Sequence, residues 1–188
     1  MQPEVEREVV RMSQSGDPRS YEPLVRAYEA PGLRLAIGML GSVDEATDAL
    51  QDAFIKAWQS LHRFDITRPF GPWFFQILRN QCRDVIRSRK SRERHEVRDE
   101  LIEVRPARAS SDPTRLQERG EASAILWRAL DALADEHREI LVLKELQGFR
   151  YSEIAGILAI PEGTVASRIY HARDALREAL CAMNAEYP

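Results

Sequence analysis

The stretch SEIAGILAIPEGTVASRIYHAR, residues 152–173, decides the fold of the chain's C-terminal part. Two short helical runs meet there at a tight turn. Ile154, Leu158, Val165 and Ile169 fall on the sides that would face each other, and Ala155 is small where the helices would cross. Ile160 plugs the turn, and Pro161 and Gly163 set where the second run begins. Such a pattern predicts a helix-turn-helix. It leaves Thr164, Ser167, Arg168, Tyr170, His171 and Arg173 with polar, exposed options, as a helix entering a major groove needs to reach base edges and phosphates. A plain helical hairpin inside a bundle is the structural alternative at this point.

Working outward, the periodicity is helical nearly everywhere, and no stretch alternates with period two between turn signals. Helices are predicted near 119–133, 136–147, 152–159 and 162–181, with Asp135, Gly148 and Ser152 as caps. Before them lies 93–118, charged, holding Pro106, Ser110, Ser111 and Pro113, with little apolar period. This composition predicts a flexible linker, helical at most at its start.

N-terminal to the linker, residues 4–14 form an amphipathic helix with Val5, Val9 and Met12 on one face. Gly16 breaks it, and Asp17-Pro18 opens the next helix as cap and first residue. Pro31-Gly32 predicts a second break, before a short apolar helix over 33–40. Ser42 and Glu45 form a capping box ahead of a helix with Leu50, Phe54, Ala57, Trp58 and Leu61 inward. A loop over Phe64–Phe70 leads into a long helix from about Gly71 to Arg92. The expected fold is therefore all-α: two small helical domains, 1–92 and 119–188, joined by the linker 93–118.

Charge is unevenly placed. The chain carries a net −3, yet Arg79 to Arg94 holds six Arg and one Lys against Asp84 and Glu93, while Asp44 to Asp52 holds four acids and no base. A phosphate backbone feels the local stretch more than the sum. Asn80, Arg83 and Arg87 form one stripe of the long helix, suited to phosphate and base contacts. Phe64 and Phe70 in the loop before it are expected to be exposed and able to stack unpaired bases, whereas Trp73 and Phe74 are expected in the core. On the preceding helix, Asp48, Gln51 and Asp52 make an acidic and amide face that could dock a basic helix or simply be solvated.

Several classes find no support. No apolar run approaches the roughly 20 residues of a membrane helix, and the N-terminus is too charged for a secretory signal. His62, His95, His137 and His171 are scattered without metal-ligand spacing, and no phosphate-cradling Gly loop or nucleophile elbow occurs. Cys82 lies on an apolar helix face, and Cys82 and Cys181 make no CxxC pair, so both read as free thiols of a reducing cytoplasm. No enzyme, cofactor or metal is expected.

The blocks DALQDAFIKAW (48–58), RPFGPWFFQILRNQCRDVIR (68–87), REILVLKELQGFRYSEIAGIL (138–158) and PEGTVASRIYHAR (161–173), in this order, resemble the bacterial sigma factors. The likeness is to the extracytoplasmic-function (ECF) group, which has only the second and fourth conserved regions, and it covers roughly 18–92 and 120–180. It implies a factor that gives core RNA polymerase its promoter recognition. Asp48, Gln51 and Asp52 would then face the β′ clamp helices, and the fourth region the β flap. The Phe64–Phe70 loop would capture a flipped base of the minus-ten element, with Asn80, Arg83 and Arg87 beside it. Family positions touching the minus-thirty-five element fall on Lys144, Tyr151, Ala166, Ser167, Tyr170 and His171. Ala166, where Arg or Lys is common, and His171, where Arg is common, depart from the family, so an altered sequence preference is expected. An anti-sigma factor is an expected partner, and the free protein is expected to be monomeric. The rival readings are a sigma-like decoy that binds an anti-sigma factor, and a dimeric helix-turn-helix repressor. The basic stripe and complete recognition helix speak against the first, the extra N-terminal domain against the second.

Overall fold

The structure, a computed structural model, describes residues 1–99 and 120–185, with side chains over 1–92 and 125–183. Among the described residues the regular structure is helical throughout. Residues 100–119, most of the expected linker, lie outside them.

Helix α1 spans Pro3–Ser13 and turns Val10 and Ser13 inward. Val5 and Met12, expected on the buried face, are exposed instead. The apolar stripe of so short a helix is ambiguous by one position, and the contacts decide.

Helix α2 runs unbroken over Pro18–Leu40. Asp17 caps it as read, accepting from the Arg19 N–H at 3.0 Å. The predicted break at Pro31-Gly32 does not occur. Pro31 forfeits one backbone hydrogen bond, but Gly32 sits so close to Leu50, Leu78 and Phe74 that an added Cβ would lie 2.6 Å from a Leu50 methyl. Packing against two neighbouring helices outweighs local propensity here. Gly41, at φ +71°, closes the helix with its N–H on the Ile37 carbonyl.

Helix α3, Val43–Ser60, is capped by Ser42, whose hydroxyl accepts from the Glu45 N–H. Ala46, Ala49, Ala53 and Ala57 line its inner face, all buried, and let α2 and α4 approach closely. A 3₁₀ turn, Leu61–Arg63, leads into the loop. Helix α4 spans Phe70–Asp99, longer than predicted at both ends.

The second domain comprises α5 (Gly120–Ala132), α6 (Asp135–Leu141), a π turn (Val142–Leu146), α7 (Tyr151–Leu158) and α8 (Glu162–Ala185). Ile154, Leu158, Val165 and Ile169 are buried in the angle between α7 and α8, as the spacing predicts. The turn between them places Ala159 at φ 54°, a left-handed conformation. Two predicted caps differ. Ala134, not Asp135, precedes α6. At α7 the Glu153 carboxylate accepts from the Arg150 N–H at 2.7 Å, so the cap lies before Ser152. Gly148, at φ +72°, ends the π turn as read.

The two domains are stacked on one another. Val142 fills the space over Gly38, where an added Cβ would come within 2.7 Å of it. Phe149 meets Phe75 edge-on, with ring centroids 4.9 Å apart. Arg138 donates to the Gly38 carbonyl at 2.6 Å and pairs with Asp131. The seam combines apolar closure with buried hydrogen bonds and an ion pair.

Candidate nucleic-acid interface

Helix α8 carries the row that the sequence predicts for recognition. Tyr170 is 66% exposed, with its ring 5.4 Å from His171. Ser167, His171 and Arg173 are exposed, as is Ala166, whereas Thr164 and Arg168 are half-buried. The Ser167 hydroxyl donates to the Thr164 carbonyl at 3.1 Å, a local bond that a base edge can displace.

The π turn brings two more predicted residues to the same end of the domain. Lys144 donates to the Phe149 carbonyl at 3.2 Å and holds its ammonium 5.2 Å from the centre of the Tyr151 ring. Glu145, on the same turn, accepts twice from Arg173 at 3.0 and 2.6 Å. This contact raises the pKa of the Arg173 guanidinium and ties the turn to α8. Glu145, which sequence periodicity does not single out, therefore ties Arg173, 28 residues away, to the turn that carries Lys144.

On α4, Asn80, Arg83 and Arg87 are exposed and share one stripe. Each has a neighbour: Asn80 accepts from Arg79 at 3.4 Å, Arg87 pairs with Asp84 at 3.0 Å, and Arg83 lies 3.9 Å from Glu139 of the second domain. Glu139 was not foreseen, because an acid at the end of the charged run 135–139 gives no local sign of a partner 60 residues away.

The loop differs most from expectation. Phe64 and Phe70 are not exposed: they retain 8% and 1% of their surface. They meet edge-on at 5.9 Å, Phe64 lies 4.6 Å from Trp73, and Phe70 lies 5.3 Å from Tyr28. Aromatic density in this part of the chain gives both rings a core to join, and burial outweighs display. Phe74 is in the core as read, and Trp73 is half-buried. What the loop exposes is Asp65, Thr67, Arg68 and Pro69. The Asp65 carboxylate accepts from the Thr67 N–H at 2.9 Å and its hydroxyl at 2.7 Å, which holds that carboxyl below its usual range and shapes the turn.

On α3, Asp48, Gln51 and Asp52 are exposed together, and Ile55 continues the row. Cys82 is buried in the core of α4, where desolvation, with help from the Glu139 charge, pushes its thiol up to about 12. Among the described residues no group of three His, Cys, Asp or Glu is placed to hold a metal, and no helix is long and apolar enough to cross a membrane.

The family described as Sigma-70 region 2 matches residues 24–92, and Sigma-70, region 4 matches 123–176. The chain is 31% identical to an RNA polymerase sigma-H factor of Pseudomonas aeruginosa, over 94% of each chain. It is 32% identical to an ECF RNA polymerase sigma-E factor of Escherichia coli, covering 89% of this chain and 90% of that one. Among solved structures it resembles CnrH in complex with the cytosolic domain of CnrY, with TM-score 0.72, 28% identity, and 94% and 97% of the two chains covered. It also resembles RpoE of Bartonella quintana bound to the anti-sigma factor NepR, with TM-score 0.64, 30% identity, and 86% and 97% covered.

Proposed function

The chain belongs to the sigma-70 family, in its ECF group, and from that premise we propose that it binds core RNA polymerase and directs promoter-specific initiation. Helix α8, with Lys144 and Tyr151, reads duplex DNA at the minus-thirty-five element. The stripe Asn80, Arg83 and Arg87, with the loop before α4, holds the parted strand at the minus-ten element. Asp48, Gln51 and Asp52 dock on the β′ clamp helices, and the second domain meets the β flap. It acts in the cytoplasm, without catalytic chemistry of its own.

The observation that carries this reading is the coexistence of two separate exposed polar rows, one on α8 and one on α4, with an exposed acidic face on α3. A repressor needs the first alone, and a decoy needs neither row. Two structural relatives are solved as complexes, one with CnrY and one with an anti-sigma factor, which supports control of this chain by an anti-sigma factor too.

The test is run-off transcription with core polymerase over genomic fragments. Discrete start sites that appear only when the protein is added are expected. Tight sequence-specific DNA binding without polymerase, and no start sites with it, would replace this reading with the repressor.

A further inference from the structure

We propose that α1, which lies before the region 2 match at residues 24–92, positions the strand-capturing loop through Gln14 and Glu6, and so sets base discrimination at the minus-ten element. The proposal rests on the reading of that loop given above.

Three hydrogen bonds from α1 and the residue that follows it reach the loop. The Gln14 amide N–H₂ donates to the Leu61 carbonyl at 2.9 Å and to the Phe64 carbonyl at 2.8 Å, where α3 and its 3₁₀ turn hand over to the loop. At the far end, Glu6 accepts the Phe70 backbone N–H at 3.1 Å through one oxygen and the Tyr28 hydroxyl at 2.8 Å through the other.

These bonds reach both ends of the loop from outside it. The residue before α4 is Pro69, which has no side-chain acceptor, so the opening N–H groups of α4 lack a local cap. Glu6 supplies a carboxylate there from 64 residues away, at the end of the helix where negative charge is favoured. The Leu61 carbonyl already accepts the Phe64 N–H at 2.9 Å, and Gln14 adds a second donor to it while donating to the Phe64 carbonyl with the same group, so the two carbonyls are tied together. Between the two anchors Ile66 packs half-buried against the core, and the exposed tip, Thr67–Pro69, is shaped by the Asp65 turn. Its orientation therefore depends on where the anchors place its ends. A site that discriminates bases must be held to a fraction of an ångström by residues that never touch the ligand. Gln14 and Glu6 are such positioning residues.

The experiment uses the full chain with core polymerase and a pool of bubble templates whose non-template strand is randomised over six positions. Enriched sequences report base preference. Duplex binding and melting temperature are measured in parallel. Wild type is expected to enrich one pattern. Gln14→Ala should flatten the preference at one or more positions by about fivefold or more, with duplex binding kept. Gln14→Lys, which still offers a donor to both carbonyls, should restore most of it. Glu6→Ala should act like Gln14→Ala, and Glu6→Gln, which keeps an acceptor for the Phe70 N–H, should be milder.

An unchanged preference in Gln14→Ala overturns the proposal, as does failure of Gln14→Lys to restore a lost one. A drop in melting temperature that removes duplex binding as well assigns α1 to general folding and overturns it too. If wild type itself enriches nothing from the pool, the reading of the loop fails, and the brace with it.

Discussion

Arg79 of α4 and Glu139 of α6 are joined across the domain seam by two hydrogen bonds, of 2.5 and 3.3 Å, between residues 60 apart in sequence. Their side chains are only 12% and 4% exposed, so the pair is close to desolvated. Glu139 also lies 3.9 Å from Arg83, a member of the proposed minus-ten row. One carboxylate of the second domain thus sits where α4 presents its cations.

Removing one partner of such a pair leaves an unpaired charge in poor solvent. Glu139→Ala is expected to cost about 3 kcal/mol in urea unfolding, within the range for breaking a buried pair. The double change Arg79→Met with Glu139→Leu should recover most of that loss, because the desolvated charges are then both gone. A single-variant loss under about 1 kcal/mol would mean the seam opens freely and water reaches Arg79.

Phe70→Ala tests the corrected placement of the loop aromatics. As a core ring packed on Tyr28, Phe64 and Phe74, it should cost about 3–5 kcal/mol on truncation. An exposed stacking residue would cost almost nothing in stability and act only on strand opening. The same urea series separates the two.

This correction shows where sequence reading stops. The helix-turn-helix was legible because Ile154, Leu158, Val165 and Ile169 follow a short-range period that burial then obeys. The α3 cap and the basic stripe were legible for the same local reason. The Pro31-Gly32 break and the exposure of Phe70 were misread because both are settled by neighbours far along the chain, Leu50 and Leu78 for one and Tyr28 for the other. Gln14, Glu139 and Glu145 bond to residues 47, 60 and 28 positions away, among others as distant, and no local pattern announces them.

Alkaline pH should weaken the fold. Folded Cys82 keeps its proton to about 12, while an unfolded thiol releases it near its ordinary 9.0. Burial also raises Tyr21 and Tyr28 above their ordinary 10.0, and the Glu6 charge adds to the rise at Tyr28. Above pH 9 the unfolded chain therefore binds fewer protons than the folded one, and stability falls as pH rises. The urea midpoint should be lower at pH 10.5 than at pH 8, and Cys82→Ala should show a smaller decline. A thiol reagent at pH 8 should modify the exposed Cys181 quickly and Cys82 only on unfolding.

Mutations should separate the two DNA rows. Asn80 and Arg83 lie on the helix that follows the loop where, in the proposed function, strands part, and opening a duplex costs unstacking that must be offset by catching the separated bases. Asn80→Ala should therefore leave initial duplex binding by the polymerase complex nearly intact and slow strand opening. A pre-melted bubble removes the unstacking cost beforehand, so it should rescue that variant in part. Tyr170 is exposed on α8, and Lys144 lies by Tyr151 at the π turn, both facing intact duplex in the proposed function. Tyr170→Ala or Lys144→Ala should weaken the first encounter by about 1–3 kcal/mol for a lost contact, and a bubble should help far less. Salt offers a second axis: a lost phosphate contact at Lys144 should reduce the dependence on salt by about one ion, while a lost base contact at Tyr170 should leave it unchanged. If Asn80→Ala and Tyr170→Ala respond alike on duplex and bubble templates, the two domains do not divide the work in this way.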